Sequence, residues 1–203
     1  MTTTLLVPTM WDMLLRQPGA EGVKLPMLRN AFWGGMPLLK GTVDRLDAWL
    51  PVPCLGCYGL TEATCATYST ADVYRSGRPD AAGFPVANME VRVVDDDGHG
   101  VLAGEYGEVL LRGSLVMREY LNRPDLMAEA LHDGWLSTGD WGRLDGDGDL
   151  TDVDRKKDMI ISGGENIYPA ELEQSLSGLP GVREVAMVGA PDDTWGRPCA
   201  LSS

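Results

Sequence analysis

Residues 54–62, Cys54-Leu55-Gly56-Cys57-Tyr58-Gly59-Leu60-Thr61-Glu62, run from a short apolar strand into a glycine turn that ends in a hydroxyl beside a carboxylate. Upstream, Leu5-Leu6-Val7 is another strand candidate, and Thr9 is placed to cap a helix from Met10 to Gln17 that Pro18-Gly19 stops. Leu28 to Trp33 reads as a further strand ended by Gly34-Gly35, and after Pro37 a stripe of Leu39, Val43, Leu46 and Leu50 keeps the helical period. Strand and helix alternating at this spacing predict parallel βαβ units, so the fold class is α/β with part of a parallel sheet.

Beyond Met89 the pattern changes. Short strands, Glu90 to Val94, Glu108 to Arg112 and Asp149 to Val153, alternate with Asp-Gly and Gly turns, which predicts a small antiparallel, barrel-like subdomain. A helix opened by Pro124 and running to Leu131 interrupts it. After Asp154 come Gly163-Gly164, a helix from Pro169 to Gly178 with Leu172 and Leu176 on one face, and an apolar strand from Val182 to Val188. Pro198 to Leu201 would begin a strand that the chain leaves without a partner. The expected division is 1–88, a partial α/β subdomain; 89–156, the antiparallel subdomain; and 157–203, the start of a small mobile α/β C-terminal domain.

The chain has 203 residues, 17 Lys and Arg against 30 Asp and Glu, a net charge of −13, and 44% hydrophobic residues, enough to bury a core. Such an acidic chain is poorly suited to gripping nucleic acid or an anionic membrane. Met1 to Leu15 holds no basic residue and is broken by Pro8 and Asp12, which reads as neither signal nor transit peptide. No apolar run approaches a membrane span, so a soluble cytoplasmic protein is expected. Cys54 and Cys57 form a C-x-x-C without a second pair or a His cluster, and the expectation is buried thiols with neither disulfide nor zinc. The loop Asp145 to Asp149 fails the EF-hand template, because its sixth and twelfth positions are Leu150 and Lys156; it reads as a solvated hairpin turn. Neither a G-x-S-x-G elbow nor a plausible triad histidine is present.

Three constellations carry chemistry. The turn after Tyr58 frees backbone N–H groups for a phosphate, with Thr61 as hydrogen-bonding partner, Glu62 as a hard oxygen ligand for Mg2+ and the Tyr58 ring as a face for a purine. It reads equally as an ordinary βα turn. Ser137-Thr138-Gly139-Asp140 sets an acidic residue on a tight turn, where it suits a ribose diol or closes a plain Asx-type turn. Asp154-Arg155-Lys156-Lys157-Asp158 followed by Ser162-Gly163-Gly164-Glu165-Asn166 reads as a solvated linker or as a hinge that brings Arg155 to a nucleotide.

In this order and spacing, together with Trp33 to Pro37, Gly107 to Gly113, Tyr120 to Pro124 and Gly134 to Asp140, these stretches resemble the adenylate-forming (AMP-binding) superfamily of acyl-CoA synthetases. The resemblance implies a two-step acid–thiol ligase acting on a fatty or aryl acid, in which ATP and a carboxylic acid give an acyl adenylate and pyrophosphate, and CoA then displaces AMP. It implies that Tyr58 stacks on adenine, that Gly59 belongs to the same AMP/ATP-binding turn, that Thr61 holds the α-phosphate and Glu62 the Mg2+, and that Asp140 and Arg155 bind the ribose. Lys157 would be the hinge, Gly163 and Gly164 the CoA channel, and Gly34 and Gly35 the border of the acyl pocket. Ser162-Gly-Gly-Glu-Asn166 is closer to the CoA ligases than to peptide-synthetase adenylation domains, whose acceptor is a carrier-protein thiol.

The family's Ser/Thr/Gly-rich phosphate loop is missing, as is its late catalytic lysine, since the lysines are Lys24, Lys40, Lys156 and Lys157. The expectation is an internal fragment of such a ligase, inactive alone and served by a complementing N-terminal polypeptide or a second copy. The alternatives are an adenylation domain that loads a carrier-protein thiol and a non-catalytic nucleotide-binding remnant, against the last of which the retention of Thr61, Glu62, Asp140 and Arg155 counts.

Overall fold

The structure is a computed structural model and describes residues 2–36, 38, 40–70, 72–73, 76, 78, 81–156, 160–162, 165–167, 169–177, 179, 182, 185–190 and 199–202. Strands β1 (Thr3–Leu6), β2 (Asn30–Gly34) and β3 (Cys54–Tyr58) pair in parallel, in register Leu6↔Trp33 and Trp33↔Gly56. Helices α1 (Pro8–Leu15) and α2 (Lys40–Trp49) make the crossovers. The expected Thr9 cap is not used. Pro8 opens α1 at its first position, where a missing N–H costs nothing, and the Val7 carbonyl accepts from the amides of Met10 (2.9 Å) and Trp11 (3.2 Å). Val43, Leu46 and Leu50 of the helical stripe are buried with Trp11, Leu15, Trp33 and Cys54 in a first core, while Pro37 and Leu39 lie outside the described residues. Trp11 Nε1 donates to the Phe32 carbonyl at 3.1 Å, which satisfies the buried indole.

Two short strands that the sequence did not announce continue the sheet. Antiparallel β4 (Thr67–Ser69) and β5 (Ala81–Pro85) join β3 to β10 (Leu150–Arg155), β9 (Trp135–Leu144), β7 (Gly107–Gly113) and β6 (Met89–Val94), in that spatial order. A two-residue strand β8 (Leu131–His132) pairs with β9, after helix α3 (Pro124–Ala130). The antiparallel strands expected as barrel-like are therefore an open sheet continuous with the parallel one, running from β1 to β6 among the described residues. Gly83 makes the joint: its φ is +90°, and a Cβ there would lie 1.7 Å from the Tyr68 carbonyl oxygen. Met89, Val93, Val109, Leu111, Leu136 and Leu150 form a second core under this half.

The Asp145–Asp149 loop is only partly the solvated turn expected of it. Asp145 Oδ1 does accept from the amides of Asp147 and Asp149, both at 2.9 Å, as an Asx turn should. Asp149 itself is fully buried, paired with Arg78, and burial raises its carboxyl above the usual range although Arg78 opposes the shift.

Past Lys156, β11 (Ile160–Ser162) pairs antiparallel with β12 (Glu165–Ile167), and α4 (Pro169–Ser177) follows. The terminal strand does find a partner: β13 (Ala186–Gly189) pairs antiparallel with β14 (Cys199–Ser202), in register Met187↔Leu201. No helix among the described residues is long and apolar enough to cross a membrane.

Candidate functional site

Three of the residues singled out from sequence come together where the two halves of the sheet meet. Tyr58, the last residue of β3, donates its hydroxyl to Asp140 Oδ2 at 2.7 Å across 82 residues of chain. Arg155, the last residue of β10, sets its Nε 3.1 Å from Asp140 Oδ1. Its Nη1 donates to the Thr138 carbonyl at 3.4 Å.

Asp140 does not lie on a turn, as the tetrapeptide suggested, but inside β9. The ladder explains how a glycine-containing segment stays in a strand. On the β7 side Leu110 faces Ser137 and Glu108 faces Trp141, so Val109 alone stands against Thr138, Gly139 and Asp140. Gly139, at φ +70°, takes the left-handed turn of that bulge. Thr138 holds the bulge closed, because its Oγ1 donates to the Val109 carbonyl (2.7 Å) and accepts from the Asp140 amide (3.0 Å). Sequence reasoning gave Thr138 no role; a hydroxyl two residues before an acidic residue was the available signal.

Asp140 is only 5% exposed, while the Arg155 side chain is half-exposed. Burial lifts the Asp140 carboxyl above its usual range, against the lowering influence of the Tyr58 hydroxyl and the Arg155 charge. The Tyr58 phenol is likewise pushed up, first by burial and then by the Asp140 charge. A carboxylate offers about four lone-pair sites, and this one spends two, so it retains acceptor capacity for a ligand hydroxyl.

The turn after β3 carries the rest. Thr61 is exposed. Glu62 is half-buried; Oε1 accepts from the Tyr120 hydroxyl at 2.8 Å, and its carbonyl accepts from the Met117 amide at 2.6 Å. Tyr120 is the second functional neighbour that sequence reasoning left without a role, and the Glu62 hydrogen bond raises its phenol. Gly59 is required by close approach, since a Cβ there would lie 1.8 Å from the Thr64 carbonyl oxygen. No cluster of three metal-ligating side chains occurs among the described residues. One positioned carboxylate does fit Mg2+, which binds through one or two carboxylates when substrate phosphates supply further oxygens. A hollow of about 540 Å³ lies beside Tyr120, lined also by Glu119, Asn122 and Met127.

The remaining residues stand apart from this convergence. Gly34 ends β2, and the space its absent side chain leaves is taken by Cys57: a Cβ would lie 3.0 Å from Cys57 Sγ. Gly35 is exposed, at φ +91°. Lys157, Gly163 and Gly164 lie outside the described residues. Their neighbour Lys156 is anchored, with Nζ 2.7 Å from Asp96 Oδ1 and 5.1 Å from the Trp141 ring centroid.

A family model described as AMP-binding enzyme matches residues 1–121. Feruloyl-CoA synthase of an Amycolatopsis species is 41% identical over 191 residues, covering 94% of this chain and 38% of its own. Fatty acid–[acyl-carrier-protein] ligase ScoC of Streptomyces coeruleorubidus is 41% identical over 199 residues, covering 96% of this chain and 38% of its own. The solved o-succinylbenzoate CoA synthetase MenE of Bacillus subtilis, in complex with its acyl-adenylate intermediate, superposes with a TM-score of 0.84 at 33% identity, over 98% of this chain and 40% of that one. The same enzyme is also solved with ATP and magnesium ion. The chain thus spans about 38% of the length of the curated relatives it matches. With a family model covering more than half of its residues, this chain belongs to the AMP-binding enzyme family.

Proposed function

We propose that this chain carries the AMP-holding part of an acid–thiol ligase, in which ATP and a carboxylic acid form an acyl adenylate and a thiol then releases AMP. The observation that carries the reading is the convergence of Tyr58, from β3, with Asp140 and Arg155, from the paired strands β9 and β10, on one buried carboxylate. Asp140 accepts the ribose hydroxyls, with Arg155 keeping the carboxylate charged and aimed. Tyr58, its hydroxyl tied down, offers its ring to adenine. Thr61 reaches the α-phosphate, and Glu62, oriented by Tyr120, is the residue that would hold Mg2+. That metal supplies charge stabilisation as the α-phosphoryl group becomes more negative.

The 1–88 and 89–156 stretches each furnish part of this site, and 157–203 would be the mobile part, swinging about Lys157 so that one site serves both half-reactions. Gly163 and Gly164 then border the path of the thiol, and Gly34 and Gly35 the acyl side. Support for a fatty or aryl acid and for CoA comes from relatives named for such reactions. A carrier-protein thiol as acceptor has its own support, since a carrier-protein ligase is equally identical. Comparing CoA with a phosphopantetheinylated carrier as acceptor in the complete enzyme separates the two.

The test is calorimetric titration of the chain with AMP and with a non-hydrolysable acyl-adenylate analogue, alongside acid-dependent ATP–pyrophosphate exchange. Saturable binding of both, tighter for the analogue, and little exchange by this chain alone are expected. Absence of binding, or binding of AMP no tighter than of adenine, contradicts the reading.

A further inference from the structure

Thr138 is buried, at 6% exposed, and yet both groups assigned to the ribose are held by it. Its Oγ1 donates to the Val109 carbonyl at 2.7 Å and accepts from the Asp140 amide at 3.0 Å, both bonds being buried. Its carbonyl accepts from Arg155 Nη1 at 3.4 Å, while Arg155 Nε lies 3.1 Å from Asp140 Oδ1. A hydroxyl has one proton to give and two lone pairs, so a single oxygen ties β7 to β9 and also fixes the amide two residues on.

The strand pairing leaves that task to Thr138. Between the pairs Leu110↔Ser137 and Glu108↔Trp141, three residues of β9 oppose one of β7, so the β7 ladder does not dictate where Asp140 points. On the other side the β10 ladder reaches Asp140 only at its last pair, Arg155↔Asp140. Gly139 supplies the turn at φ +70°, and a Cβ there would meet nothing within 4 Å, so the backbone conformation rather than crowding calls for glycine.

We propose that Thr138 is a positioning residue that sets the preference for ribose over a sugar lacking its 2′ and 3′ hydroxyls, acting through Asp140 and Arg155. The inference rests on the reading of Asp140 as the ribose acceptor. A diol presents two donors at fixed separation, and a carboxylate meets both only in one orientation; contacts to adenine and phosphate do not need it. Without the Thr138 hydroxyl, the Val109 carbonyl and the Asp140 amide are left buried and unpaired. They regain partners only by rearranging the bulge or admitting water, and either turns Asp140 away from the diol.

The experiment is calorimetric titration of the full chain and its variants with AMP and with 2′,3′-dideoxy-AMP, with circular dichroism to confirm folding. The unaltered chain should prefer AMP by at least about tenfold, since the analogue leaves a buried carboxylate short of donors. Thr138→Val keeps the shape and removes the hydroxyl; its preference should fall to about twofold or less, through weaker AMP binding with the analogue's affinity unchanged. Thr138→Ser restores the hydroxyl and should restore the preference. Gly139→Ala enters the bulge by a milder route, straining the positive φ, and should reduce the preference about threefold in a folded chain. A folded Thr138→Val that still prefers AMP, equal weakening of both nucleotides, failure of Thr138→Ser to rescue, or an undiminished preference in Gly139→Ala each overturns the role of Thr138. Absence of any preference in the unaltered chain overturns the ribose reading of Asp140, and this inference with it.

Discussion

Between β1 and β3 the sheet is covered by α1 and α2, and its core of Trp11, Trp33, Val43 and Leu46 is built from apolar side chains, with the Trp11 indole donating to the Phe32 carbonyl. Between β4 and β9 the sheet buries polar groups as well: Thr67, Ser69, Thr138, Asp140, Asp149 and Thr151, which are all the buried polar residues among those described. Burying such groups is unfavourable unless each finds a partner. The partners here are specific, as with Thr67 on the Ala82 carbonyl and Thr138 on the Val109 carbonyl. The parallel end is thus an apolar support, whereas the antiparallel end carries polar machinery, and the candidate site sits at their junction. The cost of the first arrangement shows on its surface, where Leu5, Met10, Met13 and Leu14 are exposed beside the open edge of β1.

The sharpest way to break this comparison is at the joint. Gly83→Val places a side chain on the Tyr68 carbonyl at a left-handed φ, and should cost more than about 3 kcal/mol or abolish folding, measured by urea denaturation. If the halves were independent, a partial transition would survive. Next, Leu46→Ala in the first core and Leu136→Ala in the second should each cost about 2–5 kcal/mol, and each should shift one shared transition monitored by tryptophan fluorescence.

A smaller effect separates stability from function at Asp140. Its folded pKa is raised, so the stabilisation linked to its protonation is complete below the unfolded value and disappears as pH rises through the folded one. AMP affinity needs the carboxylate and should fall as pH drops through that same raised value. Stability and affinity therefore move oppositely with pH, and Asp140→Asn should remove both trends. Smallest of all, Met13→Lys on the exposed face of α1 should leave stability within about 0.5 kcal/mol while reducing self-association in sedimentation velocity.

Legibility in the sequence divides along the same line. The parallel strands and their helices were readable because buried apolar runs and helical stripes need only their own side chains to be recognised. β4 and β5 were not: one is three residues long, and the other, Ala81–Pro85, contains a glycine and ends in proline, so both exist through their neighbours. β9 was missed for a related reason, since Gly139 looked like a turn until Thr138 and the partner strand accommodated it as a bulge. Tyr58, Asp140 and Arg155 were nameable as candidates from local chemistry and from the family resemblance. Their convergence on a single carboxylate, and the supporting roles of Thr138 and Tyr120, arise only when residues up to 82 positions apart are brought together.

In the proposed reading the buried Asp140 carboxylate holds the nucleotide. Calorimetric titration of AMP into the chain and into its Asp140→Ala variant, with circular dichroism to show that both are folded, tests it directly. Saturable binding to the unaltered chain is expected, with a loss of at least about tenfold, or about 1.4 kcal/mol, in the variant. Equal AMP affinity in the two folded proteins would contradict it.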